Sequence, residues 1–93
     1  MAKLTGNLRI TASPAPEGGK PYFEVMFMPY AGRLNTKPAK AANYDELVAL
    51  LQDLKFSEDE ATRWAGKARS QGVVLIASVE RNDSLLKDRG LLA

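Results

Sequence analysis

The chain contains no cysteine and no histidine. That excludes disulfides, thiolate and imidazole metal ligands, cysteine nucleophiles and every triad or dyad that relies on an imidazole base. Long apolar runs are lacking too: no stretch approaches the roughly eighteen residues that a membrane-spanning helix needs. The opening Met1-Ala2-Lys3-Leu4-Thr5-Gly6 has no apolar segment of the kind a signal peptide carries, so the expected location is the cytoplasm.

What is present is ordinary globular composition, 45% hydrophobic and 26% charged over 93 residues, which fits one domain spanning 1–93. A chain of this length buries roughly two-thirds of its area on folding, enough for a thin core. The net charge of +2 is unevenly placed. Residues 1–43 hold six bases and two acids, and residues 44–93 hold seven bases and nine acids. A pI near 9.0 is a weak pointer to nucleic acid in a chain without histidine, because two or three lysines decide it.

Lys3 to Thr11 alternates, with Leu4, Leu8 and Ile10 on one parity and Thr5, Asn7, Arg9 and Thr11 on the other, the period-2 pattern of a strand with one wet face. Gly6 interrupts the apolar parity and marks either a bulge or a frayed start. Ser13 to Pro21 is dense in turn residues and reads as a long, mobile hairpin connection. Tyr22 to Met28 forms a second strand, apolar on nearly both faces, with Glu24 as its charge. From Pro29 to Ala42 no periodicity appears, and the segment is expected to be irregular and either functional or flexible.

Asn43, followed by Glu46 and by Leu47, Leu50, Leu51 and Leu54, gives an N-cap and the i, i+3, i+4, i+7 stripe of a first helix. Ser57 and Glu60 form a capping box that opens a second helix, with Ala61, Trp64, Ala65 and Ala68 facing inward and Gly72 as its stop. Val73 to Val79 is β-branched and apolar, a buried strand expected at the centre of the sheet. Asp83 or Ser84 can cap a short closing helical turn through Leu85, Leu86 and Lys87. The expected fold is therefore α+β in the order β-β-α-α-β: a three-stranded mixed or antiparallel sheet with a helical hairpin on one face. The last strand should run antiparallel to the second and parallel to the first, in order 1-2-3 or 3-1-2.

No constellation carries chemistry. Asp53, Glu58, Asp59 and Glu60 are explained by helix ends, where first-turn acids and last-turn bases complement the dipole and Asp59 and Arg63 are spaced to pair. Gly18-Gly19 leads into a strand rather than a helix, so it is a turn and no phosphate-binding loop. Asn82-Asp83-Ser84 is a glycosylation sequon in form alone. No catalytic, cofactor or metal residue is assigned, and the chain is expected not to be an enzyme.

Two leads concern partners. The acid-free segment from Val25 to Tyr44 bears Arg33, Lys37 and Lys40 beside Tyr30, a set that could meet phosphates and stack on an unpaired base. The second lead is surplus apolar strand surface. One helical hairpin covers one sheet face, and the other needs the C-terminal leucines Leu85, Leu86, Leu91 and Leu92, the basic loop, or a second copy. These leads favour a non-catalytic binding or assembly module, self-associating as a homodimer, with a weak sequence-independent nucleic-acid binder acting through residues 29–42 as the alternative.

Overall fold

The computed structural model describes residues 3–13, 19–30 and 35–92. In chain order the elements are β1 (Lys3–Ser13), β2 (Tyr22–Pro29), β3 (Ala39–Ala41), α1 (Tyr44–Asp53), α2 (Glu58–Gln71), β4 (Val73–Asn82) and α3 (Asp83–Asp88). The α+β class and the helical hairpin agree with the sequence. The sheet does not: it has four strands in the order β3-β2-β1-β4, and every pairing is antiparallel.

The missed strand explains the misplaced one. β3 pairs with β2 through Phe23–Ala41, Glu24–Lys40 and Val25–Ala39, and so turns the chain once more before α1 begins. The helical hairpin then returns the chain pointing against β1, and β4 pairs with β1 antiparallel rather than lying parallel to it. β4 is also an edge strand and not the central one.

The helices form where their caps and stripes predict. Asn43 Oδ1 accepts the Glu46 amide at 2.9 Å. Ser57 and Glu60 exchange side-chain and backbone bonds at 3.1 Å each, a complete capping box. α1 ends in a Schellman turn, in which the Phe56 amide reaches the Leu51 carbonyl and the Lys55 amide reaches that of Gln52. This places Lys55 at φ 73°, a left-handed conformation. The expected Asp59–Arg63 ion pair does not form: among the described residues the ion pairs are Lys3–Glu80 and Asp53–Arg89, both exposed.

The core lies between the helices and one sheet face. Leu8, Ile10, Val25, Phe27, Val74, Ile76 and Val79 point inward from the sheet, against Leu47, Leu51 and Leu54 of α1 and Ala61, Ala65 and Ala68 of α2. The small residues of α2 let that helix approach closely, and Trp64 flanks the stripe half-buried. Leu86, Leu91 and Leu92 join this same core, and Leu91 accepts a bond from the Lys37 amide while Leu92 bridges Thr36. Leu86, Leu91 and Leu92 therefore lie on the helical side, and among the described residues no helix or C-terminal leucine covers the other sheet face. Gly6 is fixed by close approach, since a Cβ there would stand 2.2 Å from the Met28 carbonyl oxygen. Among the described residues no helix is long and apolar enough to cross a membrane.

Candidate binding face

Strand alternation sends Thr5, Asn7, Arg9 and Thr11 of β1, Tyr22, Glu24, Met26 and Met28 of β2, Lys40 of β3, and Val73 and Leu75 of β4 to the face opposite the core. Their registers build rows across the sheet. Met26, Arg9 and Leu75 form one, and Lys40, Glu24, Thr11 and Val73 form the next. The central strand is polar and its flanking strands are apolar. Val73 is 50% exposed and Leu75 56%, an unusual state for branched residues on a strand.

The charges of this face are engaged with their neighbours. Arg9 reaches the Met26 sulfur at 3.8 Å, Lys3 lies 4.0 Å from Glu80, and Lys40 stands 5.2 Å from the centre of the Tyr22 ring. Tyr22 in turn donates to Glu24 at 3.1 Å. With Lys3, Arg9 and Lys40 against Glu24 and Glu80, the face presents methionine, leucine, valine and tyrosine with a small positive excess.

Tyr30 has a structural task that the sequence did not disclose. Between Gly6 and Leu8 the β1–β4 register slips, so that Ala77 and Ser78 together oppose Asn7. Ser78 sits at φ 58° in this bulge. The Tyr30 hydroxyl accepts the Ser78 amide at 2.9 Å and donates to Asn7 Oδ1 at 2.6 Å, which ties the bulge to β1. Its ring remains 57% exposed on the open face.

Of the proposed loop contacts, the described Tyr30 and Lys40 are not brought together. Lys40 lies opposite Glu24, six residues and therefore about 20 Å along β2 from Tyr30. Lys37 is exposed beside the C-terminal residues, and Arg33 lies outside the described residues, as does most of the Ser13–Pro21 connection. The segment expected to be irregular instead contributes a strand.

A groove of about 470 Å³ opens at the end of the sheet where β2 begins, lined by Ala12, Pro21, Tyr22, Phe23 and Tyr44 with Lys20 and Arg69. Arg69 stacks over Tyr44 at 4.4 Å. Elsewhere, the Glu60 carboxyl is held below its ordinary value by the Ser57 backbone and side-chain bonds, then by the charges of Arg81 and Arg63. Burial lowers the Arg81 guanidinium, which stacks on Phe56 and bonds the Leu54 carbonyl beneath the helical hairpin. Both shifts belong to the packing of the helical hairpin and lie away from the open face.

No protein-family model, curated protein or solved structure matches the chain. Its functional reading rests on its own geometry.

Proposed function

We propose that this chain is a non-catalytic binding or assembly module, acting in the cytoplasm, whose working surface is the open face of its sheet. The observation that carries the reading is the pair of apolar columns that flank polar β1, the partly exposed Met26 and Met28 on β2 and the exposed Val73 and Leu75 on β4, on a face that no described helix covers. Burying the remaining surface of Val73 and Leu75 is worth roughly 1 kcal/mol each, an incentive for a partner of matching apolar character. Methionine adapts to such a partner without a preset shape. Among the described residues no group of three or more acids gathers where it could hold a metal ion, and on the face Tyr22 pairs with Glu24 and Lys3 with Glu80 while Arg9 rests on the Met26 sulfur.

The test uses the methionines. The chain has three, of which Met26 and Met28 lie on the open face, so their labelled methyl groups report occupancy directly. Peptides selected by display against the immobilised protein are expected to shift both methyl signals and to lose binding on Met26→Lys. Selected peptides that leave both signals unmoved would overturn the reading.

The second reading, weak sequence-independent nucleic-acid binding, draws support from the cation–aromatic pairs Lys40–Tyr22 and Arg69–Tyr44 at one end of the molecule. It no longer rests on the 29–42 segment as a unit. Salt-sensitive amide shifts at Tyr22, Lys40 and Tyr44 on adding a short single-stranded oligonucleotide would favour it, and shifts that ignore salt would remove it.

A further inference from the structure

We propose that the groove at the end of the sheet binds a small organic anion with a flat aromatic body and a doubly charged phosphate, a nucleoside monophosphate in chemical class. The proposal is independent of the open-face reading. It shares the Arg69–Tyr44 and Lys40–Tyr22 pairs with the second reading but assigns this end of the molecule to a free small molecule instead of a strand.

The groove has a cause in the sequence. Ala41, Phe23 and Ala12 form the last row on the core side of the sheet, where β2 begins and β1 ends. One row inward, Val25 stands between Ala39 and Ile10 and is fully buried. In the last row alanine flanks Phe23 on both sides, α1 has only begun at Tyr44, and α2 ends two residues beyond Arg69. The core therefore reaches the surface here: Phe23 and Tyr44 both pack against it, and both stay partly exposed. The space of about 470 Å³ that results lies within the range of about 300–1,000 Å³ that small-molecule sites occupy.

The charges of the groove have one sign. Lys20 and Arg69 are its charged lining residues, and among the described residues neither is in an ion pair. The carboxylates nearest by pairing are held elsewhere: Glu24 accepts the Tyr22 hydroxyl at 3.1 Å, and Glu46 accepts the Ala42 amide at 3.3 Å. The Arg69 guanidinium lies over the Tyr44 ring, 4.4 Å from its centre, and no described residue accepts a hydrogen bond from it. Stacking on an aromatic ring uses the flat face of a guanidinium and leaves its N–H edge for a bidentate acceptor.

The occupant follows from these two kinds of surface. Tyr22, Phe23 and Tyr44 supply aromatic walls that a planar heterocycle covers whatever its edge pattern. Two cations beside those walls match a phosphate monoester, which carries a charge of about −1.5 to −2 at pH 7. A phosphate inside a nucleic-acid strand carries a single charge, so the terminal monophosphate of a free nucleotide is the better match.

An amide-shift titration of the labelled protein with adenosine 5′-monophosphate tests the proposal, run beside adenosine and inorganic phosphate. The nucleotide is expected to give saturable shifts centred on Ala12, Phe23, Tyr44 and Arg69, with the Met26 and Met28 methyl signals unmoved. Adenosine and phosphate should each bind roughly tenfold or more weakly, since each lacks one half of the match. Arg69 is exposed in the last turn of α2, so Arg69→Gln leaves the fold intact. That variant should weaken the nucleotide by roughly tenfold and leave adenosine unchanged.

No saturable shift at these residues would overturn the proposal, as would adenosine or phosphate binding as tightly as the nucleotide. So would undiminished nucleotide binding by Arg69→Gln, or a single-stranded tetranucleotide that saturates the same shifts at lower concentration, which returns the site to the second reading. None of these outcomes moves the methionine methyls, so groove binding and open-face binding fail separately.

Discussion

Tyr30 shows how a residue that looks free for a partner can be committed to the fold. Its hydroxyl sits between the Ser78 amide and Asn7 Oδ1, at the one place where two residues of β4 oppose one of β1. Removing the hydroxyl leaves the ring able to stack but strands the amide of a residue already held at positive φ. Tyr30→Phe should therefore cost about 1 kcal/mol in urea unfolding, with faster amide exchange at Ser78, while affinity for a stacked base would be unchanged. Unchanged stability and exchange would mean that the bulge holds without Tyr30. Lys40 makes the complementary point. It was legible as a cation in an acid-free stretch, but its position opposite Glu24 and over Tyr22 depends on a pairing that no local pattern announces.

At the level of elements, what was legible is what is local. Asn43, Ser57 and Glu60 cap their own helices within three residues, and the leucine and alanine stripes repeat on the same scale, so both helices stand where the sequence puts them. Ala39–Ala41 has no such signature: three residues of Ala-Lys-Ala are a strand because Phe23 to Val25 lie beside them. Missing that strand inverted the direction assigned to β4, whereas its expected central place came from the apolar run Val73 to Val79. The cap of α2 also carries a pH dependence. Its folded carboxyl at Glu60 titrates below the ordinary 4.5, so the stabilisation is complete above that value and is lost as pH falls through the lower folded one. Glu60→Gln should thus lower the melting temperature at pH 7 and converge with the wild type once the pH has fallen below the titration of the folded carboxyl. A gap that persists in acid would assign the effect to packing instead of the carboxylate.

For the whole molecule, the described helices and C-terminal leucines cover the sheet on one side. α1, α2, α3, Leu91 and Leu92 share one core with Leu8, Ile10, Val25 and Phe27, and the opposite face keeps its methionines half-exposed. The surplus apolar parity of β2 and β4 was visible in the sequence, but which face the C-terminal leucines join follows from the path of the chain after β4. Neighbouring residues on β2 make this asymmetry measurable. Phe27 is fully buried, so Phe27→Ala should cost about 3–5 kcal/mol through lost transfer energy and the cavity left behind. Met26, one residue earlier and on the other face, should accept lysine within about 0.5 kcal/mol when denaturation is measured at low micromolar concentration. If Met26→Lys instead destabilises as Phe27→Ala does at that dilution, the open face is covered within the single chain, and a working surface must be sought at the groove between Tyr22 and Tyr44.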